Sequence, residues 1–204
     1  MAETTYDVDQ DLREAAAMAK DLSAYVQGRE LYGRVGKVGL FGARRMPALT
    51  IGALLLRLDR LRALRDQLND AQRQQLAEIE AAHEQTRREW AVHYHEKLLQ
   101  EAKSRLKAMD VFFEECHEQP RICANAYLPE VLRRTIVEAI YDALVRTNQP
   151  SEEIRQLMRK ADSGLRRYTE PSDFVWAGAL RPLYPSEKYW WLYRRPPRPN
   201  SKPR

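Results

Sequence analysis

Two Glu-x-x-His pairs, Glu80–His83 and Glu114–His117, have the spacing that di-metal helical bundles use. On a helix, residues three apart share a face, so each pair could present a carboxylate and an imidazole together. A di-metal site needs both pairs at one place in a core. Here the second pair follows 34 residues after the first, with no Gly or Pro between them. One continuous helix would hold the pairs roughly 50 Å apart. His93 and His95 would point about 200° apart on a helix and could not share an ion. Cys116, His117 and Cys123 supply three ligands where a closed zinc site wants four. The two cysteines are too few for a disulfide scaffold and are expected as buried structural residues. No Ser-His-Asp or Gly-x-Ser-x-Gly context marks a nucleophile. This reading assigns no catalytic, cofactor-binding or metal-binding residue, expects no cofactor, and leans away from an enzyme.

Two other stretches carry surface chemistry. From Gly33 to Pro47, glycine falls at every third position four times, interleaved with Arg34, Lys37, Arg44 and Arg45. Free amides beside cations could cradle a phosphate. The string required of a Walker loop is absent, and no strand precedes the glycines. They read first as an irregular connection or a close approach between helices. The second stretch is Tyr189-Trp-Trp-Leu-Tyr-Arg-Arg195, which mixes rings with cations. Such a mixture can stack bases and neutralise phosphates. Left in water, so many rings would be an aggregation hazard, so they are expected to fold back as a strap. The candidate interaction surface is Arg34, Lys37, Arg44, Arg45, Trp190, Trp191, Arg194 and Arg195.

The elements that must position these residues read as helices throughout. Ala53 to Gln119 holds no Gly and no Pro and is filled with helix formers. Val8, Leu12, Ala15, Ala19, Leu22 and Val26 mark an amphipathic helix at 7–27, closed by Gly28. A leucine seam from Leu54 to Leu68 marks a helix over 48–68, reached through the Gly-rich connection 28–47. Asn69 and Asp70 are good caps and poor helix interiors, so a turn or kink is expected there. The seam then runs from Leu76 through Trp90 and Tyr94 to Cys116, predicting a long helix over 71–118. Leu128-Pro129 looks like a helix start, giving 129–147. Ser151 can cap a last helix at 152–167.

The expectation is an all-α protein: an elongated helical bundle or helical hairpin with one long spine helix and an irregular, aromatic, Pro-rich C-terminal tail. A helical domain covers 1–168, and the tail covers 169–204, disordered from about 196. The 204 residues, 44% hydrophobic, suffice for a packed core. The net charge of +5 hides blocks of alternating sign. Residues 28–65 carry nine basic and two acidic side chains, whereas 1–27 carry two basic and six acidic. Such blocks can pair within one fold. No basic-then-apolar leader opens the sequence and no run is long enough for a membrane span, so a cytoplasmic protein is expected. The spine stripe outruns the short helices available to cover it, which predicts a homo-oligomer or a protein partner. The leading function is therefore a non-enzymatic helical scaffold or protein–protein interaction protein. The alternative is nucleic-acid binding through the basic 28–65 segment and the aromatic tail.

Overall fold

The computed structural model describes residues 5–36 and 46–197. The described chain is all-α, with six α-helices and one pair of two-residue strands. It divides into two compact units, one of Asp7–Ala102 and one of the chain from Lys103 onward together with the described residues before Asp7.

In the first unit, α1 (Val8–Gln27) starts at Asp7, whose carboxylate accepts from the Gln10 amide at 3.1 Å. Asp9 and Asp11 follow in the first turn, where the helix dipole favours them. Leu12, Ala15, Met18, Ala19, Leu22 and Val26 are buried, as their spacing predicts. Gly28 does cap the helix, but its φ of −73° and ψ of 168° are extended, so no left-handed turn is involved.

The second helix, α2 (Ile51–Ala63), is capped by buried Thr50 and buries every residue from Ile51 to Leu56, then Leu58 and Leu61. A helix apolar on nearly all sides belongs at the centre of its unit. Its free N-terminal amides need an acceptor. Glu101 supplies one: its fully buried carboxylate accepts from the Gly52 amide at 2.8 Å.

The break at Asn69–Asp70 is present. Helix α2 gives way to a short 3-10 turn, Arg65–Gln67, and Asn69 caps α3 (Asp70–Glu89) in a reciprocal box with Gln72. The expected single helix over 71–118 is corrected. Trp90 leaves the helical region at φ −116° and ψ 36°, and α4 (Ala91–Glu118) begins after it. His83 and Tyr94 show that the chain turns there. The imidazole Nε2 lies 2.8 Å from the Tyr94 hydroxyl. Eleven residues of straight helix would separate their Cα atoms by about 16 Å, beyond the combined reach of the two side chains.

In the second unit, α5 spans Pro120–Arg146 with Pro129 inside it, so the predicted start at 129 is corrected. Pro120 occupies the first turn, where a missing N–H costs nothing. Pro129 leaves a carbonyl one turn earlier without its helical donor, an interior cost of about 3 kcal/mol. Packing offsets it, since Tyr127 and Val131 on either side are both buried. Asn148, at φ 55°, takes the left-handed position after the helix end that Asn tolerates. Ser151 then caps α6 (Glu152–Tyr168) as predicted. Ile154, Met158, Ala161 and Leu165 are its buried stripe. Gly164 on α6 lies against the Phe113 ring of α4, closer than a side-chain carbon could approach.

The cysteines are not free. Cys116 near the end of α4 and Cys123 in α5 form a disulfide, with Cα atoms 5.3 Å apart. After α6 the chain forms β1 (Glu170–Pro171), 3-10 turns at Gly178–Leu183 and Trp190–Tyr193, and β2 (Arg194–Arg195). Strand β2 returns antiparallel to β1, Glu170 facing Arg195. The disorder expected from about 196 falls mainly on 198–204, outside the described residues.

Candidate functional site

The aromatic tail is a strap. Trp191 is 1% exposed, and its indole N–H donates to the Thr135 hydroxyl on α5 at 3.0 Å. The Arg134 guanidinium sits 4.0 Å from the ring centre. Arg134 is itself buried and bonds Asp162 of α6 at 2.7 Å and Glu138 at 2.8 Å. The Tyr127 hydroxyl donates to the Trp191 carbonyl at 3.0 Å, and burial holds that phenol well above its usual range. Thus one indole, one guanidinium and two carboxylates join α5, α6 and the strap. Trp190 is half-buried beneath Arg166, whose guanidinium lies 3.9 Å from its ring. Arg194 bonds the Thr169 hydroxyl at 2.8 Å, and Arg195 is exposed in β2. Phe174, Tyr184, Tyr189 and Tyr193 pack as successive ring pairs.

The predicted surface therefore divides by position. Trp191 and Arg194 are consumed in holding the strap, Trp190 is covered by a cation, and Arg34 and Arg195 face solvent. Lys37, Arg44 and Arg45 lie outside the described residues. In the basic 28–65 segment, Arg57 pairs with Glu14 and lies 3.7 Å from Asp11, while Arg60 lies 3.6 Å from Asp11. These side chains are nearly buried, so opposite charge blocks neutralise each other between α1 and α2. Arg62 reaches Glu80 of α3 at 2.6 Å.

The metal-like pairs have other roles. Glu80 is spent on Arg62, and His83 on Tyr94. Burial, reinforced by the Arg62 charge, lowers His83 to about 4, so it is neutral near pH 7. Glu114 and His117 are exposed. Among the described residues, no group of three or more His, Cys, Asp or Glu side chains is disposed to hold a metal ion.

Two features were missed from the sequence. Glu130 on α5 is 2% exposed; one carboxylate oxygen meets Arg133, and the other has no hydrogen-bond partner. Burial pushes it up to about 7, with Arg133 opposing and Glu115 adding to the rise. No sequence signal marks it, since glutamate in a helix is ordinarily solvated. The second is a cleft of about 250 Å³ between α4 and α6. Buried Leu106 and Ala161 and half-buried Leu157 line it together with Lys103, Lys107, Lys160 and Asp110. Lys103 bonds Glu153 at 2.7 Å and Lys160 bonds Asp110. Lys107 is exposed and has no ion-pair partner among the described residues. The lysines at i and i+4 on α4, and the α6 stripe of Leu157 and Ala161, were each legible as helical spacing. Their juxtaposition was not.

Together these features define a two-unit helical protein with an aromatic clasp and a lysine-rimmed groove. No protein-family model matches the chain, and no curated protein or solved structure matches it either. No helix among the described residues is long and apolar enough to cross a membrane.

Proposed function

We propose that this is a non-enzymatic helical protein that acts by binding other proteins. The α4–α6 groove carries the reading: half-exposed Leu157 lies over buried Leu106 and Ala161, framed by lysines whose stems can cover a partner's apolar surface while their charges fix its register. A second copy of the chain is one candidate partner. The spine stripe no longer supplies the motive for it, because Leu76, Ile79, Tyr94, Leu98, Leu106 and Met109 are all buried within one chain. Self-association rests on the groove instead.

A photo-cross-linking amino acid placed at position 107 tests the proposal. The expected result is a discrete cross-linked protein, absent when the same group is placed at exposed Arg159 on α6. Light scattering of the purified protein identifies a second copy if that is the partner. No cross-link to protein at position 107 would sink the proposal. The rival, nucleic-acid binding, is supported by exposed Arg34 and Arg195 and weakened by the internal pairing of Arg57 and Arg60 and the burial of Trp191. A steep loss of affinity for an oligonucleotide with rising salt would favour it.

A further inference from the structure

We infer that the α4–α6 groove docks an acidic amphipathic helix of a partner protein. This rests on the interaction reading above and names the chemistry of the partner. Three observations carry it. The first is shape: the groove runs between two helices, and half-exposed Leu157, above buried Leu106 and Ala161, offers an anchor point for an apolar side chain of a third helix. The second is charge: three lysines and one aspartate line it, Glu153 and Glu114 lie near Lys103 and Lys160, and Lys107 is the lining cation without an ion-pair partner among the described residues. Lys103 and Lys107 are one turn apart on α4, about 6 Å along the axis, which matches carboxylates four residues apart on a facing helix.

The third observation is that the groove already holds carboxylates. Lys103 and Lys160 bond Glu153 and Asp110 at its edges. Both bridges are substantially solvent-exposed and contribute little to stability. An incoming glutamate can replace either partner with no change in the number of ion pairs, and it gains Lys107, which has none to lose. Exposed Val111, four residues beyond Lys107 on α4, adds apolar surface next to it.

The experiment uses the full chain. The probe is a fluorescein-labelled 15-residue peptide with leucines at helical spacing and glutamates flanking them, read by fluorescence anisotropy. Saturable binding is expected, weakened at least tenfold when the peptide glutamates become glutamine. The double variant Lys103→Glu/Lys107→Glu should weaken binding at least tenfold with an unchanged circular dichroism spectrum. A peptide with lysine in place of its glutamates should bind that variant better than it binds the native chain. This charge-swap rescue is a readout that a merely unfolded variant cannot give. Equal binding by the glutamine peptide, or by the double variant, overturns the inference. So does tighter binding of a single-stranded oligonucleotide lost in the same variant, or a dimer of the chain abolished by it. If the peptide fails while position 107 still cross-links a protein, the interaction reading stands and the acidic helix falls.

Discussion

Replacing Trp191 with alanine should open the C-terminal unit, and the structure sets the size of the effect. The ring is 1% exposed. Removing a buried tryptophan side chain costs about 3–5 kcal/mol in lost burial and residual cavity. The ring also covers the Arg134 guanidinium at 4.0 Å, a desolvated contact of about 2 kcal/mol. The indole N–H bond to Thr135 adds about 1 kcal/mol. These contributions overlap, so about 4 kcal/mol is the expectation. Arg134 keeps Asp162 and Glu138, and no charge is orphaned. Hydrogen exchange of the α5 amides between Val131 and Leu144 reads this unit directly. Four kcal/mol corresponds to roughly a thousandfold faster exchange wherever opening is the controlling step. Trp191→Phe retains a ring under Arg134 and loses the N–H, so about 1–2 kcal/mol and a roughly tenfold change are expected. Amides of α1 and α2, in the other unit, should exchange at native rates. If Trp191→Ala changes α5 exchange by less than about tenfold, the strap is a passenger and the argument from its burial is wrong.

Other outcomes follow from single features. Deleting everything after Glu170 should lower the thermal midpoint and expose dye-binding surface, whereas deletion after Arg195 should leave the midpoint nearly unchanged. His83 is held near 4, below its unfolded value, so it favours the folded state above pH 6.5 and loses that contribution as pH falls toward 4. The swing is roughly 3 kcal/mol in urea titrations and should vanish in His83→Gln. Glu130 runs the other way: raised to about 7, it costs nothing below pH 4.5 and destabilises as pH rises through 7. Glu130→Gln should remove that alkaline loss, and a wild-type curve flat from pH 5 to 8 for α5 exchange would refute the assignment. Reducing the Cys116–Cys123 bond, or replacing both with serine, should cost about 2–3 kcal/mol for a loop this short. Gly164→Ala should cost about 1–3 kcal/mol, because the new methyl group meets the Phe113 ring; a neutral melting curve would show that the ring can step aside.

What could be read from the sequence was what depends on near neighbours. Asn69 and Ser151 announce helix starts because a cap acts on amides within three residues. The strap was legible because a dense run of rings has nowhere else to go. Trp90 was not, since the seam keeps its period straight through the break and tryptophan is an unremarkable helix residue. Pro129 was misread because packing of Tyr127 and Val131 overrides a local preference. On α5, Leu132 is 41% exposed, while Val131 and Val137 are buried. The disulfide, the pairing of Arg57 with Glu14 and the α4–α6 groove all join residues brought together only by the fold, and the burial that orphans one oxygen of Glu130 is likewise set by tertiary packing.

The buried carboxylate of Glu101 ties the order of assembly to the order of synthesis. It reaches α2 at Gly52 across 49 residues of chain. While a ribosome is still making α3, the amide it will bind at the start of α2 has no acceptor of this kind, and that bond waits for α4. Nearby, Lys97 of α4 donates to the Glu30 carbonyl and lies 4.8 Å from the Tyr25 ring centre. One turn of late-emerging chain thus fastens two segments made much earlier. A nascent fragment ending before residue 97 lacks both ties, to Gly52 and to Glu30. Once residue 102 has cleared the tunnel, both ties are available before the chain from Lys103 onward has emerged.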